Sequence, residues 1–208
     1  LWNVRTTRHV VCGVTLTALV GYGTIVWAPA FLIRSHGLTP SQVGMFLGPV
    51  MGIVGGLGAY IGGMLADHLA AKDARWNAWI VGIAKMLSIP FICAFYLVDN
   101  TYVALAFYMP AAFLGAFYLG PSFGMIQSLT PLRSRALASA IMLFILNLFG
   151  LGFGPQLIGI ASDVMRVWFE SDSLRYALLA ATFVNIWASA HYYLAGKTLK
   201  QDTANLVS

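Results

Sequence analysis

The sequence predicts an all-α integral membrane protein with six transmembrane helices. Its composition is the first reason: 59% of the 208 residues are hydrophobic and 9% are charged, against roughly 25% charged residues in soluble proteins. The second reason is a run of 24 residues, 43–66, without a single charge. Such a run is long enough to cross a bilayer at ~1.5 Å of helical rise per residue. Similar apolar runs, separated by short polar breaks, fill the rest of the chain.

The six spans form one predicted bundle over residues 1–208, and each is bounded by polar turns. The predicted spans are 10–33, 43–66, 77–98, 102–129, 136–165 and 174–194. Thr39 to Gln42 has the pattern of a capping box with proline at the first helical position, which starts the second helix. Asp99 and Asn100 separate the third span from the fourth, and a polar tail follows the sixth span.

Lysine and arginine are distributed unequally between the two sides of this bundle. Eight of the twelve lie in the termini and in the loops after the second and fourth spans, three lie in the other loops, and Lys85 lies within the third span. By the positive-inside rule both ends of the segment are cytoplasmic, and we expect a bacterial inner membrane. The chain begins at Leu1 without a signal-peptide pattern, so we expect it to be part of a longer polypeptide.

Glycines and prolines indicate where helices approach each other and bend. Glycine recurs at every fourth position of the second span, at Gly44, Gly48, Gly52 and Gly56. This nearly bare face allows another helix to approach closely, and Gly150 and Gly154 have the same effect in the fifth span. Prolines inside the fourth and fifth spans are expected to bend these helices around a cavity: Pro110, Pro121 and Pro155. Kinked helices without a cavity are the alternative.

A short charged loop follows the second span. Its notable residues are Gly63, Asp67, His68, Lys72 and Arg75. An acid at a helix end beside basic residues can hold two neighbouring helices together, and breaking that contact would give a two-state gate. Alternatively, the charges only end two helices at the membrane surface. The spacing alone does not decide between these two interpretations.

The same loop resembles a motif of the major facilitator superfamily, Gly-x-x-x-Asp-Arg-x-Gly-x-Arg-Arg, which Gly63, Asp67 and Lys72 match in part. In that family the motif lies between the second and third helices, with a weaker copy between the eighth and ninth. The departures from the motif resemble the weaker copy: His68, Ala70 and Asp73. The order of further motifs is similar to the spinster-like branch of the family: Gly21-Tyr22-Gly23, Trp27-x-Pro29-x-Phe31-Leu-x-Arg34 and Asn147-Leu-Phe-Gly-Leu-Gly-Phe-Gly-Pro155.

The resemblance implies that the six spans are helices seven to twelve of a twelve-helix transporter. It also implies that the first, second, fourth and fifth spans face the transport pathway. Polar residues on these spans are the candidates for substrate contact: Tyr22, Trp27, Tyr118, Gln127 and Asn147. For each of them, a hydrogen bond between helices is the alternative. We expect Lys85 to extend to the membrane surface or to bond to a neighbouring helix.

These features predict half of a secondary-active transporter that rocks against a missing N-terminal six-helix half around a midplane site. The resemblance implies an amphiphilic, lipid-like or organic-anion substrate and suggests proton coupling. All seven acidic residues lie at or beyond helix ends, so we expect the proton-carrying acids in the other half. A sugar-acid type symporter of the same superfamily is one alternative, and a non-transporting membrane scaffold is another.

Other chemistry is not indicated. Gly120 to Gly124 matches the Gly-x-Ser-x-Gly pattern of hydrolases, but here it lies in a long apolar helix rather than at a strand-to-helix turn. No sequence pattern for a metal, nucleotide or redox cofactor occurs. The basic residues are scattered singly, which argues against a nucleic-acid partner. We therefore predict membrane lipid, the missing half and a small-molecule or lipid substrate as partners.

Overall fold

The computed structural model describes residues 4–205, and six helical regions connected by short turns make up this part of the chain. We label them α1 (Arg5–His36), α2 (Pro40–Ala70), α3 (Trp76–Leu97), α4 (Thr101–Ser128), α5 (Arg135–Ile145, Leu146–Phe153 and Gly154–Phe169) and α6 (Ser173–Thr182 and Val184–Asn205). Three of them contain irregular turns: α2 is π-helical over Val50–Val54, α4 narrows to a 3₁₀ turn over Ala116–Tyr118, and α5 is π-helical over Leu146–Phe153.

Five helical stretches of the described chain are long and apolar enough to span a membrane. The last of them runs 73 residues, from Leu132 to Ala204, and contains both the fifth and the sixth predicted spans. It is interrupted by a 3₁₀ turn at Glu170–Asp172, where Glu170 adopts the positive φ of 46°. This turn reverses the chain, so that α6 packs back against α5. The depths of the six spans in a bilayer stay predictions.

Local signals set the helix ends. The Thr39 hydroxyl accepts the backbone N–H of Gln42 at 3.3 Å, and the Gln42 carboxamide accepts the backbone N–H of Thr39 at 2.9 Å. This pair of hydrogen bonds is the predicted capping box at the start of α2. Gly37, with φ of 66°, ends α1 in the left-handed conformation that glycine adopts without strain.

The end of α6 differs from the sequence expectation. The sequence predicts a polar tail after residue 194, whereas α6 continues as a helix to Asn205. The extension is held against the start of α1, because the Asp202 carboxylate accepts the Thr6 backbone N–H at 2.8 Å and the Thr6 hydroxyl at 2.7 Å. A carboxylate at the first turn also complements the positive end of the α1 dipole. We call this side of the bundle the terminal end.

Two apolar clusters form the core, one toward each end of the bundle. The cluster at the terminal end includes Val10, Val14, Met125, Leu129 and Tyr192. The cluster at the opposite end includes Phe31, Leu32, Phe95, Tyr96 and Leu178. All ten of these side chains are at most 1% exposed, so both ends of the bundle are closely packed.

Within residues 4–205, α2 makes its close helix contacts at glycines outside its four-residue stripe. A Cβ placed on Gly44, Gly48, Gly52 or Gly56 would meet no atom of another described helix within 4 Å. The α4 backbone packs instead on Gly58 and Gly62, where a Cβ would overlap Phe113 and Phe117. In α5, both Gly150 and Gly154 lie against α1, and a Cβ on Gly154 would overlap the Leu19 carbonyl oxygen.

Candidate functional site

A cavity of about 440 Å³ lies between the two apolar clusters, near the middle of the helices. Helices α1, α2, α3, α4 and α6 form its wall. More than half of the lining residues are aliphatic residues, alanine or glycine. The polar residues of the wall are Thr17, Tyr22, Thr24, Lys85, Ser88, Tyr108, Tyr118, Thr182 and Asn185. Such a concave, mostly apolar site with a few polar groups is the kind that holds small molecules.

Helix α2 lines one side of this cavity mainly with glycine. Its contribution to the wall is Met51, Gly52, Gly55, Gly56 and Ala59. The π-helical turn Val50–Val54 lies within the same stretch, and π-helical turns occur frequently at functional sites. Gly52 and Gly56 of the stripe therefore leave open space in the cavity rather than a packing surface for a described helix of this chain.

Lys85 is the charged residue of the cavity wall. Its side chain is 5% exposed, and its Nζ donates a hydrogen bond to the Gly115 carbonyl at 2.8 Å. The same Nζ lies 4.9 Å from the centre of the Tyr118 ring, within cation–π range. Among residues 4–205, no carboxylate lies within 4.0 Å of this ammonium group. Lys85 does bond to a neighbouring helix, but inside the bundle rather than at the membrane surface.

Two of the five predicted substrate contacts belong to the cavity. Tyr22 lines it from α1 and Tyr118 lines it from α4. Tyr22 also packs against α5, because a Cβ on Gly150 would lie 2.6 Å from the Tyr22 ring. The structure thus brings Tyr22, Tyr118 and Lys85 to one site from three helices.

The other three predicted residues have partners outside the cavity. Trp27 Nε1 donates to the Pro155 carbonyl at 2.8 Å and holds α1 to α5. Gln127 Nε2 donates to the Ser139 hydroxyl at 3.1 Å. Asn147, which is exposed, donates to the Leu143 carbonyl of its own helix at 2.8 Å. Their roles in transport stay predictions.

Several polar wall residues were missed by sequence reasoning. Thr24 accepts a hydrogen bond of 3.4 Å from the buried Tyr96 hydroxyl, and Asn185 donates to the Thr182 carbonyl at 3.0 Å. Hydroxyl and amide groups of this kind bond to nearby carbonyls wherever they lie in a membrane helix. Their types alone give no sign that they face a cavity. Lys85 is not among the predicted substrate contacts either, although an ionisable residue within a span is a functional candidate by default.

In the loop between α2 and α3, Asp73 makes the ion pairs. Its Oδ1 lies 3.2 Å from Lys200 Nζ of α6 and accepts the backbone N–H of Arg75 at 3.0 Å. These contacts lower the pKa of the Asp73 carboxyl below its ordinary value, the Arg75 N–H first and Lys200 second. Asp67, His68 and Lys72 are exposed, and none has an ion-pair partner within 4.0 Å among residues 4–205. Asp73, one of the three residues that depart from the loop motif, therefore joins the loop to α6.

Ser122 of the Gly-x-Ser-x-Gly pattern is followed in the sequence by Asp163 and His191, the residue types of a hydrolase triad. The structure does not bring these three residues together. Ser122 is fully buried and shares a hydrogen bond of 2.9 Å with the Tyr192 hydroxyl. His191 Nδ1 lies 3.0 Å from His9 Nδ1 near the terminal end, and Asp163 lines a separate pocket with Arg34 and Arg166. In the part of the chain that the structure describes, no three His, Cys, Asp or Glu side chains are grouped to hold a metal ion.

Comparisons with known proteins identify relatives among transporters. The chain is 33% identical over 194 residues to an MFS-type efflux pump of Mycolicibacterium smegmatis, a match over 93% of this chain and 45% of the pump. It is 26% identical over 218 residues to protein spinster homolog 1 of Mus musculus, covering 91% of this chain and 40% of that protein. The chain thus spans less than half the length of these relatives. No protein-family model matches it.

Two solved structures have the same fold. One is a bacterial homologue of the human lysosomal transporter spinster, inward-facing and unoccupied, with a TM-score of 0.85 and 25% identity over 95% of this chain and 48% of that one. The other is a bacterial spinster homologue in an inward-facing occupied form, with a TM-score of 0.84 and 24% identity over 96% of this chain and 50% of that one. The described helices therefore correspond to half of a longer transporter fold.

Proposed function

Because this chain is a homologue of major facilitator superfamily transporters, most like the spinster-like branch, and has the fold of half of one, we propose that it is the C-terminal half of a secondary-active transporter. In this proposal it rocks against an N-terminal six-helix half and exposes a shared midplane site to each side of the membrane in turn. Its two ends lie in the cytoplasm of a bacterial cell, in line with the distribution of basic residues.

The observation that carries this proposal is the position of the cavity. It lies between two closely packed apolar clusters, and its wall includes the bare glycine surface of α2. A second six-helix half placed against α2 could approach its backbone closely at Gly48, Gly52 and Gly56, which present no side chain, and would enclose the cavity. Alternating access requires a site of this kind, at mid-depth and shared between two halves.

The chemistry of the wall favours an amphiphilic, lipid-like substrate. Aliphatic residues, alanine and glycine provide most of the wall, and its polar groups are hydroxyls, one amide and one ammonium group. A compact organic anion, such as a sugar acid, would leave much of this apolar surface without a partner. The Lys85 ammonium keeps an organic anion as the second candidate, and the experiment below separates the two.

We assign proton coupling to the other half of the protein. All seven acidic residues of the chain lie at or near helix ends, and no carboxylate belongs to the described cavity wall. Proton relays through a membrane use ionisable groups at depth. We therefore place the proton-carrying acids in the N-terminal half.

The test is transport by the full-length protein in proteoliposomes. Uptake of a fluorescent lysophospholipid and of radiolabelled gluconate would be compared, each with and without a pH gradient. Uptake of the lysophospholipid supports the amphiphile, and uptake of gluconate alone supports the sugar-acid type symporter. Absence of both fluxes from a correctly folded protein would contradict the transporter proposal and favour a membrane scaffold.

A matched pair of variants links the flux to this cavity. Gly52→Leu places a side chain in the cavity wall, whereas Gly44→Leu adds the same side chain to α2 outside the wall. We expect Gly52→Leu to lose most of the uptake and Gly44→Leu to retain it. Uptake at the wild-type rate by both variants would show that the substrate does not pass through this cavity.

A further inference from the structure

Lys85 is an ionisable side chain of the cavity wall for which the described part of the chain provides no carboxylate within ion-pair distance. It is the charged residue of the cavity wall, it is 5% exposed, and no carboxylate within residues 4–205 lies within 4.0 Å of its Nζ. Burying an unpaired charge within a membrane bundle is costly, so such a residue is retained where it has a task. We propose that Lys85 binds the single negative charge of the transported amphiphile, an inference that rests on the transport cavity proposed above.

The hydrogen bonds of Lys85 leave capacity for such a ligand. An ammonium group has three N–H donors, and one of them goes to the Gly115 carbonyl at 2.8 Å. This bond and the Tyr118 ring, 4.9 Å away, fix the position of Nζ at the cavity wall. The two remaining donors are enough to bind one oxygen or two oxygens of a carboxylate or phosphate group.

The surroundings of Lys85 favour an anion attached to an apolar chain. Tyr22 and Tyr118 line the same cavity and can each donate a phenolic hydrogen bond to an anionic oxygen. The rest of the wall is mainly Gly, Ala and aliphatic side chains from α2 and α4, against which an acyl chain would be buried. One cation can balance one negative charge, so lipids with a single negative charge should be preferred over neutral ones.

The experiment measures binding rather than flux, so that it stands apart from the transport test. The full-length protein in maltoside detergent is titrated with two fluorescent probes of equal acyl length: lysophosphatidylglycerol, which carries one negative charge, and monoacylglycerol, which is neutral. Lys85→Gln and Lys85→Met remove the charge, and Lys85→Arg keeps it. The control is Arg34→Gln, which removes an exposed cation outside the cavity. Size-exclusion chromatography selects the charge-removing variant that is monodisperse.

We expect the charge-removing variant to raise the Kd of the anionic probe by about tenfold or more, the usual effect of losing a charged hydrogen bond. Its Kd for the neutral probe should not change, Lys85→Arg should bind the anionic probe more tightly than the charge-removing variant, and Arg34→Gln should match the wild type. Equal weakening of both probes would show a structural role for Lys85 and overturn the inference. Unchanged binding of both probes would also overturn it.

The two proposals can fail separately. If the wild-type protein binds the anionic probe through Lys85 but moves no solute in proteoliposomes, the transporter proposal is wrong and the binding site stands. If the wild type transports the lysophospholipid but the charge-removing variant binds both probes as the wild type does, the transporter proposal stands and the role of Lys85 is wrong.

Discussion

The contact between α1 and α5 should tolerate no side chain at Gly154. A Cβ at this position would overlap the Leu19 carbonyl oxygen and would lie 3.3 Å from the Gly23 backbone nitrogen. Both are backbone atoms of α1, which cannot turn aside as a flexible side chain can. Gly152, two residues earlier, is exposed, and the nearest atom to its Cβ position is the Asn147 carbonyl oxygen at 4.0 Å. It provides the matched control.

The magnitude follows from two opposing terms. Replacing glycine by alanine within a helix stabilises it by roughly 0.5–1 kcal/mol, because glycine loses more backbone entropy on folding. Overpacking a tight contact costs roughly 1–3 kcal/mol. Gly152→Ala gains the first term alone, whereas Gly154→Ala gains the first and loses the second. The free energies of unfolding of the two variants should therefore differ by about 1–3 kcal/mol, with Gly154→Ala the less stable.

The assay is thermal unfolding of the full-length protein in detergent, followed by intrinsic tryptophan fluorescence. About 1 kcal/mol corresponds to roughly 2–4 °C for a chain of 150–250 residues and to less for a longer one. In the full-length protein Gly154→Ala should therefore melt below Gly152→Ala by a few degrees at most. If Gly154→Ala melts at or above the temperature of Gly152→Ala, the backbones of α1 and α5 are not in contact at this point. The assignment of Gly154 as a packing residue would then be wrong.

Two further predictions concern the loop between α2 and α3 and the contact of α1 with Pro155. The pKa of the Asp73 carboxyl is lowered on folding, so the ionised carboxylate stabilises the fold at pH values above its ordinary pKa of 3.8, and this stabilisation is lost as the pH falls through the folded pKa. Asp73→Asn should therefore reduce the fall in melting temperature that the wild type shows as the pH is lowered. Asp67→Asn, as control, should leave that fall unchanged. Trp27→Phe removes the N–H donor to Pro155 and should lower stability by about 1 kcal/mol, with binding of the lysophosphatidylglycerol probe unchanged; weaker binding without loss of stability would place Trp27 in the substrate site.

The helical architecture could be predicted from the sequence with elementary chemistry. Apolar runs of membrane-spanning length, the capping box at Thr39 and the polar breaks indicate six helical regions. The structure has six, with α1 beginning at Arg5 and α6 continuing to Asn205. The reason is that a backbone in lipid must satisfy its hydrogen bonds internally. Length and hydropathy alone therefore determine that these segments are helices.

The tertiary structure alone decided which faces of the helices meet. In water the buried face of a helix is apolar and the exposed face is polar, but in a membrane both faces are apolar. The glycines of α2 illustrate the ambiguity, because Gly58 and Gly62 contact α4 while Gly52 and Gly56 line a cavity.

The same holds for two polar residues. The place of Lys85 in the cavity wall depends on the orientation of α3, and Lys200, the ion-pair partner of Asp73, is remote from it in sequence. Such pairings depend on how the helices are rotated and packed. The hydropathy of the sequence does not encode this rotation, because a membrane helix is apolar on the faces that meet lipid and on the faces that meet other helices.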